Sequence, residues 1–516
     1  MKSKLFTYIS FVMLIFALTI CSGFIGCTKN QSSGIDTVKD SLPSCLINDL
    51  EEYVIKTMEK NEIPGLSMVI VKGDQVLYNR GFGVRDNETK IPVNTETLFG
   101  IGSTTKSLTA IMIASMVDDG IIDWDTPITD ILPSFKLSDP QITSNLTFKH
   151  TLCMCTGVTR RMEEISVRYS EISAEDIIKS MATIPISESS ENEFNYSSRM
   201  LATGGYIAAL AAGGEFGNLN EAYAQLLQKR LLDPLKMNSS TLFSDDVVLR
   251  NNYATPHYSS ISGCKAISLE IESMFKPISP AGGMWSNSDD LSRYLIMLIN
   301  NGITSDGGQI VSNKNLKYLW EPQVMIDTNI WYGLGWYIED YNGLTVIYHP
   351  GGTVGFASEL VIIPQYELGF AILTNQLDQV KPIGRMSTYR FLELITGNKH
   401  VYEKEIRKAA KKIKRQLFLL SVITKKKVNP EDISPFLGIY NNKILGSAEL
   451  VLHNDNSLWV DFGEYESEVR KMSTGHNQYI FMESIFMGKT MTLSMDQNEN
   501  PTMQWEGDED KYIFSK

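Results

Sequence analysis

Histidine and cysteine are scarce in this chain, six of each in 516 residues, and basic residues are outnumbered, 47 Lys and Arg against 60 Asp and Glu for a formal net charge of −13. Each shortage excludes something. A nucleic-acid binder needs a basic face to neutralise phosphates, and none dominates here. An uncharged or basic small substrate fits the charge balance better. Beyond the first 27 residues only Cys45, Cys153, Cys155 and Cys264 remain, too few for a disulfide scaffold, although one bridge of unreadable pairing is available to them. His150, Cys153 and Cys155 lie close in sequence, but their spacing is not that of a structural zinc site and no second pair completes it. No metal is expected.

What is present describes an ordinary globular protein, 43% hydrophobic and 21% charged, and longer than a single hydrophobic core usually grows. Two lysines in Met1–Lys4 precede a stretch from Leu5 to Ile25 without one charge. That pattern predicts an export signal or an uncleaved anchor, with everything downstream outside the cytoplasm. Phe24-Ile25-Gly26-Cys27 resembles a bacterial lipobox, which makes Cys27 a lipidation candidate; lipoprotein and signal anchor both fit. After a polar linker, Leu46, Leu50, Val54 and Met58 recur at helical period. Leu66–Val71 and Gln75–Tyr78 flank a Lys72-Gly73-Asp74 turn and read as a hairpin. Short β-rich runs at 331–336, 345–349, 359–363 and 369–374, with a helix at 389–395, predict one sheet completed by segments distant in sequence. Between Lys404 and Lys427 ten basic residues face one Glu around the apolar run Leu417–Ile423. This segment reads as a solvated linker helix, or as one lying on anionic lipid; the apolar run is too short to cross a bilayer. From Pro435 onward, short alternating runs between Asn, Asp and Gly turns predict a separate β module.

A Ser-x-x-Lys spacing occurs at Ser103, Ser262 and Ser273, but only Ser103-Thr104-Thr105-Lys106 follows a glycine turn, Phe99-Gly100-Ile101-Gly102, and opens a periodic apolar helix. One helical turn stacks Lys106 beside Ser103. A serine hydroxyl is a poor nucleophile until a neighbouring base takes its proton, and a lysine becomes such a base when burial disfavours its ammonium form.

With this block in place, the chain resembles the serine β-lactamase-related and penicillin-binding-protein family over about residues 46–395. The resemblance includes Pro64-Gly65-Leu66-Ser67-Met68-Val69-Ile70-Val71, Leu235-Lys236-Met237 and Pro280-Ala281-Gly282-Gly283-Met284-Trp285-Ser286. It matches the family's Tyr-x-Asn element with Tyr196-Ser197-Ser198, and its Lys-Thr-Gly or His-x-Gly element with His349-Pro350-Gly351-Gly352. It implies catalytic roles for Ser103, Lys106, Tyr196 and His349. It also implies substrate-binding or oxyanion positions at Ser198, Gly351 and Gly352, the Gly352 N–H acting with that of Ser103. Two departures stand out. Ser198 replaces an asparagine that holds the substrate amide in antibiotic-hydrolysing relatives, and Met154-Cys155-Thr156-Gly157 stands where relatives read His-Thr-Ser-Gly.

The expected fold is α+β, a β-lactamase/transpeptidase-like antiparallel sheet flanked by helices with a mainly helical subdomain, followed by a small all-β module. The expected divisions are a signal or anchor over 1–27, a linker over 28–44, the catalytic domain over 45–398, a basic helical linker over 399–430 and the β-rich domain over 431–516. The expected activity is acyl transfer to water from an ester, a D-amino-acid peptide or amide or, least favoured, a β-lactam, without metal or organic cofactor. The other reading is a catalytically silent penicillin-binding-like sensor. The expected partners are a small-molecule or peptide substrate, as well as a membrane through the N-terminal segment and, on the lipid reading of residues 404–427, through that basic segment too, with no nucleic acid.

Overall fold

A computed structural model describes residues 42–187, 193–260, 263–377, 382–397 and 422–516, less residues 474, 476, 483–485 and 508–509, together with residues 408, 411, 415, 418 and 419. Cys27 and the uncharged stretch before it lie outside the described residues, as does most of the basic segment. Among the described residues no helix is long and apolar enough to cross a membrane.

The chain opens with α1 (Ser44–Asn61), which buries Ile47, Leu50, Val54 and Met58 along one stripe and ends at Glu62 in the left-handed conformation. The hairpin follows as β1 (Gly65–Lys72) and β2 (Gln75–Gly83). Next come α2 (Thr105–Asp118), α3 (Glu163–Arg168), α4 (Ser198–Ala211) and α5 (Ser288–Ile299). The strands β3 (Val324–Asp327), β4 (Ile330–Tyr332), β5 (Tyr337–Tyr341), β6 (Leu344–Gly352), β7 (Ala357–Ile363) and β8 (Leu368–Thr374) complete the domain, with α6 (Ile383–Thr396) closing it.

One eight-stranded sheet runs β2-β1-β8-β7-β6-β5-β4-β3. The expected completion by distant segments is made by β1 against β8, antiparallel from Leu66↔Thr374 to Lys72↔Leu368. Both strands are apolar and buried almost throughout, so both of their faces are covered. Helix α5 lies on β1 and β8, α6 lies on β7 and β8, and α1 packs on α6. A buried ion network pins α6: Arg385 bonds Glu339 at 2.5 Å and Glu359 at 3.3 Å, its guanidinium 3.7 Å from the Tyr348 ring centroid. Over residues 105–116 helix α2 has no solvent-exposed face. Residues 105–116 are all buried, as befits a helix enclosed between β6 and the helical subdomain.

The second sheet contains β9 (Thr424–Lys425), β10 (Gly438–Asn442), β11 (Gly446–Leu452), β12 (Leu458–Asp461), β13 (Glu466–Met472), β14 (Gln478–Phe481), β15 (Thr490–Met495), β16 (Pro501–Glu506) and β17 (Lys511–Ser515). Its order is β9-β13-β12-β11-β10-β17-β16-β15-β14, and β13 also pairs β14, so the module is a closed barrel. Side chains fill it: Phe462, Phe481, Phe486, Trp505 and Phe514 are buried together, the Phe486 and Trp505 ring centroids 4.6 Å apart. Strand β9 and the buried Val428 fall within the stretch expected as a linker, and both pack with the barrel. The barrel docks on α3. Val167 enters the barrel's core, Lys489 pairs with Glu163 at 2.8 Å, Arg168 donates to the Ile444 carbonyl at 2.9 Å, and the Ser170 N–H donates to Glu464 at 2.9 Å.

Candidate active site

The turn before α2 is pressed flat against the end of β6. Gly102 has φ +48°, and a Cβ there would sit 2.7 Å from the Gly352 nitrogen; one on Gly351 would sit 1.9 Å from the Ile101 carbonyl oxygen. Only glycine lets two backbones approach so closely. Hydrogen bonds fix the contact from both sides. Thr104 Oγ1 donates to the His349 carbonyl at 3.1 Å, Ser358 Oγ donates to the Ile101 carbonyl at 2.7 Å, and the Ile101 N–H donates to the Met284 carbonyl at 2.9 Å. The backbone at Ser103 and the Gly351-Gly352 edge therefore border one small space.

Ser103 is half-buried, while Lys106 exposes no surface. Lys106 Nζ lies 2.9 Å from Ser103 Oγ, donates to the Ala281 carbonyl at 2.7 Å and is 4.9 Å from the Tyr196 ring centroid. Burial, reinforced by the Arg160 charge, holds its pKa well below the ordinary lysine value. An uncharged amine accepts the serine proton. Tyr196 moves the other way: burial raises the phenol to about 12, against the opposing effects of its hydrogen bond with Ser103 and of Arg160. Near neutral pH this phenol keeps its proton and can give it away.

His349 is fully buried at the centre of β6 and β4 contacts. Its Nδ1 is 2.7 Å from the Pro350 carbonyl oxygen and its Nε2 is 3.0 Å from the Tyr332 hydroxyl. A carbonyl only accepts, so Nδ1 carries the hydrogen and Nε2 accepts from Tyr332. Burial, and then the nearby Lys106, lowers the imidazole to about 3. It is neutral at ordinary pH, with Nε2 against the Tyr332 hydroxyl. That phenol belongs to an aromatic wall with Phe194 and Tyr337, at centroid distances of 5.7 and 4.8 Å, and Phe194 lies 6.3 Å from Tyr196.

The fold thus gathers Ser103, Lys106, Tyr196, His349, Gly351 and Gly352. Ser198 is buried in the first turn of α4. Of the other Ser-x-x-Lys matches, Ser273–Lys276 lies in the 3₁₀ segment Leu269–Ile278, and Ser262 lies outside the described residues. Among the described residues the one disulfide is Cys153–Cys155. It takes both thiolates out of the His150 cluster, and among the described residues no His, Cys, Asp and Glu group is arranged to hold a metal. Sequence reasoning missed Arg160, Tyr332 and Ala281. The tandem Arg160-Arg161 and the glycine-rich Tyr332-Gly333-Leu334-Gly335 were signals, but nothing local says that Arg160 acts on Lys106 or that Tyr332 meets His349.

A half-buried serine, a buried lysine one turn on and a protonated phenol beside a glycine-rich strand end define a serine hydrolase site of the β-lactamase and penicillin-binding type. Residues 50–393 match the family model described as Beta-lactamase, and the chain belongs to that family. It is similar to an unguisins hydrolase of Aspergillus campestris, 27% identical over 350 residues, 64% of this chain and 61% of that protein. Penicillin-binding protein 4 of Amycolatopsis lactamdurans is 24% identical over 61% of this chain and 82% of its own length. Protein flp of Staphylococcus aureus is 23% identical over 65% of each. The chain therefore spans less than two thirds of the length of the unguisins hydrolase and of protein flp. An octameric penicillin-binding protein homologue from Pyrococcus abyssi shares the fold with a TM-score of 0.59 at 21% identity, covering 91% of this chain and all (100%) of that one.

Proposed function

We propose that this chain hydrolyses carboxylic esters or D-amino-acid peptides and amides through an acyl-enzyme on Ser103. One observation carries the reading: Lys106 Nζ stands 2.9 Å from Ser103 Oγ in surroundings that disfavour its charge. The neutral amine takes the Oγ proton as Oγ attacks the carbonyl carbon. The N–H groups of Ser103 and Gly352 receive the oxyanion, and Tyr196 protonates the departing oxygen or nitrogen and is reprotonated by the Lys106 ammonium. Water then releases the acid and restores Ser103. His349 is a positioning residue, neutral and bound to Tyr332. Ser198 in the asparagine position makes a β-lactam the least favoured substrate. We propose further that the chain is exported and held at a membrane through its first 27 residues, a reading supported by the uncharged Leu5–Ile25 stretch and in keeping with the Cys153–Cys155 bridge.

The test is labelling of the folded protein with a fluorophosphonate, beside turnover of short-chain esters, D-alanyl dipeptides and a chromogenic cephalosporin. Labelling and turnover that vanish together in Ser103→Ala are the expected result. A folded wild type that neither labels nor turns over any of the three sinks the hydrolase and leaves the silent sensor.

A further inference from the structure

The bridge joining Cys153 to Cys155 closes around a single residue, Met154. Its Cα atoms are 5.3 Å apart, whereas two extended residues span about 7 Å, so the chain must bend within the bridge. Met154 bends into the left-handed region, φ +55°, which a side chain with a Cβ seldom adopts unless held there. Both things that this bend presents are used. The Met154 carbonyl accepts the Asn195 N–H at 2.7 Å, and its Sδ accepts the Ser197 N–H at 3.2 Å. Asn195 and Ser197 flank Tyr196, so one residue holds the backbone on either side of the phenol that hydrogen-bonds Ser103.

The segment is also held by Ser197, whose Oγ caps α4 by accepting the Met200 N–H at 3.4 Å, and by Phe194 in the aromatic wall, but Met154 is what the backbone N–H groups on both sides of Tyr196 meet. Asn195 Nδ2 also reaches the Gly157 carbonyl, at 3.5 Å. Cys153 and Met154 are buried, but Cys155 is half-buried, so a small thiol can reach the bridge.

We propose that the Cys153–Met154–Cys155 loop is a positioning clamp for Tyr196, and that the oxidation state of its bridge sets the reactivity of the site. Reduction by a dithiol adds two electrons and two protons, breaks the S–S bond to give two thiols, and leaves the dithiol as its own disulfide. Met154 is then free to return to right-handed conformations. Its carbonyl and Sδ withdraw from the Asn195 and Ser197 N–H groups, and Tyr196 loses its alignment on Ser103. The catalytic consequence rests on the role proposed for Tyr196; the clamp itself does not.

Two readouts on the full chain keep these apart. Hydrogen exchange over residues 193–198 reads the clamp; hydrolysis of a short-chain ester and fluorophosphonate labelling of Ser103 read its effect. With dithiothreitol, and two newly alkylated thiols counted by mass, exchange over this segment is expected to quicken at least tenfold. The ester kcat is expected to fall about tenfold with KM little changed, both recovering on reoxidation. A Cys153→Ser/Cys155→Ser double variant with native circular dichroism should show the reduced values and ignore the dithiol. Unchanged exchange on full reduction, or a double variant that matches oxidised wild type, overturns the clamp. Faster exchange with undiminished labelling upholds the clamp and refutes the part assigned to Tyr196.

Discussion

At the scale of single residues, the site works by withholding water from charge. Lys106 sits where an ammonium is poorly solvated, and Arg160 pushes its proton off further. The sign of a test follows. The reaction needs the neutral amine, so the rate rises with pH through the lysine pKa. Removing Arg160 raises that pKa. Arg160→Ala is therefore expected to move the acidic limb of the labelling-rate profile to higher pH while leaving the high-pH plateau within about threefold. His349 gives a contrasting expectation. Burial lowers it to about 3, so it contributes no limb near neutrality. His349→Ala should cost about 10–100-fold in kcat by letting Tyr332 shift, with the profile's midpoint unmoved. Ser103 and Lys106 were legible because their spacing is local, and Tyr196, Gly351 and Gly352 only through the motifs that carry the family resemblance. Arg160 and Tyr332 were not, because 54 and 226 positions separate them from Lys106 (160 − 106 and 332 − 106) and only packing brings their charge and hydroxyl to the site.

Among the elements, the contact between the turn before α2 and the end of β6 decides whether the site exists. Gly351→Ala would put a Cβ 1.9 Å from the Ile101 oxygen and 2.2 Å from Ser358 Oγ. These neighbours are backbone and a committed hydroxyl, with no slack to yield. The variant is expected to lose about 1–3 kcal/mol of stability, read by denaturant unfolding, and most of its labelling. The helix at Ser44–Asn61, the hairpin and the strands within residues 344–374 were readable from periodicity and turn residues, whereas the run expected at 331–336 is strand only to Tyr332, the glycines at 333 and 335 turning the chain into β5. The full burial of α2 was not. Its apolar stripe suggested one covered face, and the polar residues Thr105, Ser107 and Thr109 gave no sign of being enclosed; Thr109 is so because it bonds the Tyr223 hydroxyl and the Pro280 carbonyl.

For the molecule as a whole, the barrel and the catalytic domain meet through α3, which Arg199 of α4 grips by donating to the Arg161 carbonyl at 2.9 Å and pairing with Glu164 at 3.0 Å. The pair Lys489–Glu163 crosses the junction with both side chains largely out of water. Lys489→Ala should cost about 1–3 kcal/mol by leaving a shielded carboxylate short of a partner, and calorimetry should show the barrel's transition moving to lower temperature. The sequence by itself determined the local matters: helical and strand periods, the nucleophile turn, the family and the presence of an all-β module, because each is written in neighbouring residues. Only the tertiary structure decided the pairing of Cys153 with Cys155, the closure of the barrel, the contact of His349 with Tyr332 and the burial that lowers the Lys106 pKa. Those depend on burial and on distances between residues far apart in the chain, which no local pattern encodes.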